Sequence, residues 1–103
     1  MNAKVALVMG GGAGTGRATA LAFAREGARV VVADVNEALA QKTAGLIEAT
    51  GGTALAVRAD MAKAGDSQAV MEAARATFGG LHWVSNNAAA AALFTQAVTR
   101  DPD

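Results

Sequence analysis

Seven residues, Gly10-Gly11-Gly12-Ala13-Gly14-Thr15-Gly16, separate two segments of different period, and this restricts the chain more than any other feature it has. Before them, Lys4 to Met9 is a brief aliphatic run without alternation, the pattern of a strand covered on both faces. After them, residues 15 to 26 take up a helical period that places Ala18, Leu21, Ala22 and Arg25 on one face, with Gly27 positioned to close the helix. A strand that passes through nearly bare backbone into a helix is either a flexible joint or a turn built for close approach of a ligand. The regular elements on both sides favour the second.

In such a turn Gly10 takes torsions closed to side chains, Gly14 admits a pyrophosphate, and Gly16 lets the helix lie close to the sheet. The helix N-terminus adds unpaired N–H groups and a partial positive charge. Gly12, Ala13 and Thr15 complete the candidate phosphate site. No Gly-Lys-Ser or Gly-Lys-Thr follows, which argues against the loop of ATP- and GTP-hydrolysing proteins.

The alternation continues along the chain. Arg29 to Ala33, with three consecutive valines, reads as a second strand ending at Asp34. Asn36 is placed to cap a helix to about Thr50 with an inner stripe of Leu39, Thr43, Leu46 and Ile47, stopped by Gly51-Gly52. Thr53 to Ala59 forms a third strand with Asp60 just beyond. Asp66 or Ser67 is placed to cap a third helix that buries Val70, Ala73, Ala74 and Phe78 and ends at Gly79-Gly80. Leu81 to Ser85 is a fourth strand running into Asn86-Asn87. Right-handed crossovers make this βαβαβαβ series an α/β fold, a Rossmann-like parallel sheet with alternating helices, truncated after the fourth strand. The alanines from Ala88 to Ala92 read as loop, and residues 93–103 as a loop leading to a helix that lies beyond the chain.

Composition bounds the partners. The chain has 103 residues, one domain and short for a doubly wound fold. Hydrophobic residues make up 52% and charged residues 17%, a globular mixture. Nine basic residues balance nine acidic ones, leaving no net field to attract nucleic acid or an acidic membrane surface. The absence of cysteine excludes disulfides, thiolate metal ligands and a cysteine nucleophile, and no metal site is expected. No stretch approaches the roughly 20 apolar residues of a membrane helix. The opening apolar run ends in glycines and leads to a charged helix instead of a cleavage site, so a cytoplasmic location is the expectation.

Two aspartates mark the adenosine side. Asp34, eighteen residues beyond Gly16, is placed to accept hydrogen bonds from the ribose 2′-OH and 3′-OH and to repel a 2′-phosphate. Neither Ala13 nor Val35, the next residue along the site, supplies a compensating positive charge, so NAD is expected over NADP. Asp60 is placed to accept from the adenine amino group while the Met61 N–H meets a ring nitrogen. A turn acid capping local amides is the competing reading.

These residues together resemble the N-terminal part of a short-chain dehydrogenase/reductase. The family motif T-G-x-x-x-G-x-G is similar to Met9-Gly10-Gly11-Gly12-Ala13-Gly14-Thr15-Gly16 except at its first residue, and Asp34 and Asp60 fall at its ribose and adenine positions. Asn86-Asn87-Ala88 resembles the N-N-A-G motif, with Ala89 in place of its glycine. The resemblance implies cofactor contact for Asn86 and Ala88, the strand order 3-2-1-4 with the fourth strand at an open edge, and Thr99 close to the N-cap of the next helix. Met9 lacks the hydroxyl of the family threonine, and His82 and Ser85 depart from the usual aliphatic and acidic residues near the fourth strand. His82, at the start of that strand, is expected to be structural.

The resemblance also implies an oxidoreductase that moves hydride between a nicotinamide cofactor and an alcohol or carbonyl substrate, in a homo-oligomer. The family tyrosine, lysine and serine lie beyond the N-N-A-G motif. This sequence has no tyrosine, and Lys42, Lys63 and Ser67 do not stand in for them. No catalytic residue is assigned, and the isolated chain is expected to be inactive. A non-catalytic nucleotide-binding or oligomerising module is the alternative.

Overall fold

Val5, Ala6, Leu7 and Val8 bring only apolar side chains, and the strand they form with Met9, β1 (Val5–Met9), is buried along its whole length. The computed structural model describes residues 4–86 and the backbone of residues 98–100. Within these residues β1 leads into α1 (Gly14–Arg25), β2 (Arg29–Asp34), α2 (Glu37–Ala49), β3 (Thr53–Arg58), α3 (Ala64–Phe78), β4 (Trp83–Asn86) and β5 (Val98–Arg100). The sheet order is β3-β2-β1-β4-β5. The first four strands in that order are parallel, with Met9 beside both Ala33 and Asn86, and Asp34 beside Arg58. This is the expected alternating α/β architecture, with β1 at its centre.

Strand alternation divides the core between the two faces of the sheet. Val5, Leu7, Met9, Val31 and Ala33 pack with Val70 and Ala74 of α3. Val8, Val30 and Val32 pack with Ala20 of α1 and with Ala40 and Ile47 of α2. Burying each valine or leucine contributes about 1.5–3 kcal/mol, so the unbroken β-branched run of β2 is useful only because both faces are covered. Met9 is buried in the first cluster, filling apolarly the place where the resemblance has a threonine.

Helices α1 and α2 bury faces lined largely by small residues, and in α2 this departs from the expected stripe. In α1 the buried positions are Gly16 and Ala20, with Leu21, Phe23 and Ala24 packed partly beside them, while Ala18 and Ala22 are exposed. In α2 they are Ala40, Thr43, Ala44 and Ile47, and Leu46 turns outward. Small alanines allow the helix backbones close to the sheet. Helix α3 begins earlier than expected, with Lys63 at its N-cap and no side-chain cap bond. Asp66 instead accepts from the Asp60 N–H at 2.9 Å, tying the helix to the turn before it.

The end of the chain corrects another expectation. β4 is not an open edge, because β5 pairs with it antiparallel, Val84 opposite Thr99 and Ser85 opposite Val98. Thr99 lies in that strand, and residues 98–100 of the expected loop are extended, whereas the start of the expected next helix falls outside the described residues. A short antiparallel edge strand satisfies ladder groups that β4 would otherwise present to solvent. The readings of Asn87, Ala88 and the alanines up to Ala92 lie outside the described residues.

Candidate functional site

The parallel strands carry their last residues to one edge of the sheet, where ligands bind in folds of this type. The glycine turn starts there. Gly10 has φ 76° and its N–H donates to the Ala33 carbonyl at 2.7 Å, a carbonyl the Gly11 N–H also reaches at 3.2 Å. A Cβ on Gly16 would run into the Gly10 carbonyl, so this glycine closes the turn on itself rather than only admitting the sheet. A Cβ on Gly12 would lie 2.8 Å from both Asp34 Oδ2 and Leu39 Cβ. At Gly14, φ is 57° and a Cβ would meet nothing within 4 Å. The turn is thus tightly packed at Gly12 and Gly16 and open at Gly14.

The opening faces the start of α1. Ala13 occupies the N-cap without a side-chain bond, and no acidic residue lies in the first turn. Ala13, Gly14 and Thr15 are exposed. The Arg17 N–H makes the first helical bond, to the Ala13 carbonyl at 3.2 Å. The N–H groups of the exposed residues before it, Ala13, Gly14 and Thr15, have no helical partner and lie at the positive end of the peptide dipoles, an arrangement able to receive an anion.

Asp34 links that opening to the next strand. Its Oδ2 accepts from the Gly12 N–H at 2.9 Å and its Oδ1 from the Asn36 N–H at 2.9 Å. A carboxylate offers roughly four lone-pair positions, so two remain for hydroxyl donors. Val35, beside it, is 55% exposed. No basic side chain bonds to Asp34 among the described residues.

Asp60 performs the local role weighed against adenine contact: its Oδ1 accepts from the Ala62 N–H at 3.0 Å, and its carbonyl from the Lys63 N–H at 2.9 Å. Its other carboxylate oxygen and the Met61 N–H have no hydrogen-bond partner among the described residues, while the Met61 side chain packs on the core. Asn86 is exposed at the end of β4, next to Met9 in register and so beside the glycine turn. Ala88 lies outside the described residues. The structure therefore gathers Gly10, Gly12, Ala13, Gly14, Thr15, Gly16, Asp34, Val35, Asp60, Met61 and Asn86 along one sheet edge.

Two side chains that the sequence did not single out for the site stand behind it. Arg17 donates through Nη2 to the Gly12 carbonyl at 2.6 Å and through Nε to Thr43 Oγ1 at 2.9 Å. Thr43, fully buried on α2, donates to the same Gly12 carbonyl at 3.3 Å. Nothing local signals this, since the partners are 26 residues apart. His82 is structural, as expected. Its Nδ1 accepts from the Val5 N–H at 2.9 Å while its own N–H donates to the Val5 carbonyl at 2.9 Å, at the opposite edge of the sheet. A cleft of about 540 Å³ beside Arg25, Arg29 and Gly51 also lies at that opposite edge. Helix C-termini meet there, and cations offset their carbonyl dipoles.

Comparison with known proteins agrees with this geometry. A family model described as short chain dehydrogenase matches residues 4–101. Cyclohexanol dehydrogenase from Acinetobacter sp. (strain SE19) is 48% identical over 87 residues, covering 84% of this chain and 35% of the relative. A 2,5-dichloro-2,5-cyclohexadiene-1,4-diol dehydrogenase from Sphingobium indicum is 46% identical over 85 residues, covering 82% and 34%. Among solved structures, a hydroxysteroid dehydrogenase from Escherichia coli superposes with TM-score 0.81 at 34% identity, covering 82% of this chain and 36% of that one. A short chain dehydrogenase from Mycobacterium avium gives TM-score 0.81 at 40% identity, covering 85% and 34%. The chain spans about a third of the length of these relatives. Among the described residues no helix is long and apolar enough to cross a membrane.

Proposed function

The chain belongs to the short-chain dehydrogenase family, whose members bind a nicotinamide dinucleotide, and we propose that this one holds NAD in preference to NADP. The observation that carries the preference is Asp34. Its carboxylate is held by the Gly12 and Asn36 N–H groups beside the open helix terminus, with remaining lone pairs for ribose hydroxyls and no basic side chain bonded to it among the described residues. A dianionic phosphate at that position would meet the carboxylate at close range, and like charges there repel.

The residues present fit the dinucleotide. The exposed N–H groups of Ala13, Gly14 and Thr15 receive the phosphates, Asp34 the adenosine ribose, and Asp60 with the Met61 N–H the adenine, with Val35 against its face and Asn86 toward the turn. When bound, the nicotinamide accepts a hydride from an alcohol carbon or returns it to a carbonyl. The names of the relatives point to ring alcohols as the substrate class of the whole enzyme. Without a tyrosine to relay the hydroxyl proton, this chain alone binds without turning over. On the same reading the working enzyme is a cytoplasmic homo-oligomer.

Calorimetric titration of NAD and NADP tests this reading. NAD is expected to bind at least about tenfold more tightly, as one close charge pair warrants. Asp34→Ala should bring the two affinities together. Tighter NADP binding by the unaltered chain would sink the proposal, as would turnover of cyclohexanol followed by nicotinamide absorbance.

A further inference from the structure

Gly12 is held from both sides of its peptide. Its N–H is taken by Asp34, and its carbonyl is taken by Arg17 Nη2 at 2.6 Å and Thr43 Oγ1 at 3.3 Å. Thr43 itself accepts from Arg17 Nε at 2.9 Å, so guanidinium, hydroxyl and carbonyl close a three-membered ring of hydrogen bonds. The Thr43 hydroxyl is buried, and this ring gives it both a donor to accept from and an acceptor to donate to.

The ring determines where the next peptide group points. In a trans peptide the carbonyl of one residue and the N–H of the following residue face opposite ways, and the described residues contain no cis bond. With the Gly12 carbonyl drawn inward to Thr43 on α2, the Ala13 N–H is turned outward, on the exposed side where α1 begins. The five consecutive glycine or alanine residues from Gly10 to Gly14 have no polar side chains of their own to fix that orientation. The guanidinium also delivers two donors in a rigid fork, which an ammonium does not. Its bond to Gly12 is charge-assisted.

We infer that Arg17 and Thr43 are positioning residues for the pyrophosphate, aiming the Ala13 N–H and the α1 terminus at it through the Gly12 carbonyl without touching the ligand. The inference rests on the dinucleotide reading above. It differs from a view of Arg17 as a phosphate-contacting cation, because both its bonds run to protein atoms behind the turn.

The test is the affinity of the full chain for ADP, which carries the diphosphate, against adenosine, which lacks it, measured by amide chemical-shift titration. Arg17→Met and Thr43→Val should each weaken ADP about tenfold, as loss of a charged or buried hydrogen bond does. Adenosine binding should stay within about twofold, and the Ala13 amide should lose most of its ADP-induced shift. Thr43→Ser, which keeps the hydroxyl, should restore binding, and Arg17→Lys should lie between. If Arg17→Met does not fold, the near-isosteric Thr43→Val and its serine counterpart decide the matter. Equal loss of ADP and adenosine, or ADP binding unchanged in both variants, overturns the inference while leaving the cofactor reading intact. An unaltered chain that binds neither NAD nor ADP overturns both.

Discussion

Helices α1 and α2 follow consecutive parallel strands and begin at the same edge of the sheet, yet their N-termini are differently occupied. At α2 the Asn36 side chain accepts the Leu39 N–H at 3.1 Å and Glu37 sits in the first turn. At α1 the N-cap is an alanine, with neither a side-chain bond nor an acid. Both helices carry a partial positive charge near half a unit at this end. In α2 the protein satisfies it internally, and in α1 no side chain among the described residues does so. A helix N-terminus is therefore an anion site only where the surrounding side chains decline to fill it. Asp34 joins the two, since it holds Gly12 ahead of α1 and Asn36 ahead of α2.

The contrast is broken most completely at Gly14. Valine there meets no neighbour, but a β-branched residue at φ 57° is strained by about 1–2 kcal/mol and its side chain occupies the opening. Gly14→Val should weaken NAD by at least about thirtyfold while the circular dichroism spectrum keeps its helix content, a combination of strain and lost approach. Unchanged affinity in a folded variant would show that the phosphates pass elsewhere.

A gentler change makes α1 resemble α2. Thr15→Asp supplies the first-turn acid that α1 lacks. The acid should stabilise the helix by about 0.3–1 kcal/mol, seen as a small rise in Tm, and weaken NAD about fivefold to tenfold by opposing its phosphates. If stability and affinity rose together, the terminus would not be where the anion binds. The smallest effect belongs to the reverse experiment. Asn36→Ala removes the α2 cap and should cost about 1 kcal/mol in denaturant unfolding. NAD affinity should change by less than about threefold, because Asp34 accepts from the backbone N–H of residue 36, which alanine keeps, as well as from Gly12. A large loss of affinity would mean that the second cap is part of the site.

Much of this contrast was legible in the residue order. Glycine at 10, 14, 27, 51 and 79 takes positive φ, and each of these lies at a boundary that glycine had already marked. Asn36 was readable as a cap because capping needs only an oxygen three residues from its donor. The burial of α2 was not readable in the same way. The helical period points Leu46 inward, whereas Ala40 and Ala44 take the sheet and Leu46 is 39% exposed. In alanine-rich helices the apolar contrast between faces is weak, and close approach favours the smaller side chain.

Local chemistry thus specified the alternation of strands and helices, the turn at Gly10 to Gly16 and the acid at the end of β2, because period, backbone torsion and capping act over a few residues. The antiparallel closure of β4 by β5 and the ring of Arg17, Thr43 and the Gly12 carbonyl came only with packing. Both join parts of the chain that no period relates. In the ring, a hydroxyl on α2 meets a guanidinium on α1 only once the two helices lie side by side on the sheet, and a buried hydrogen bond of that kind has no counterpart in the order of the residues.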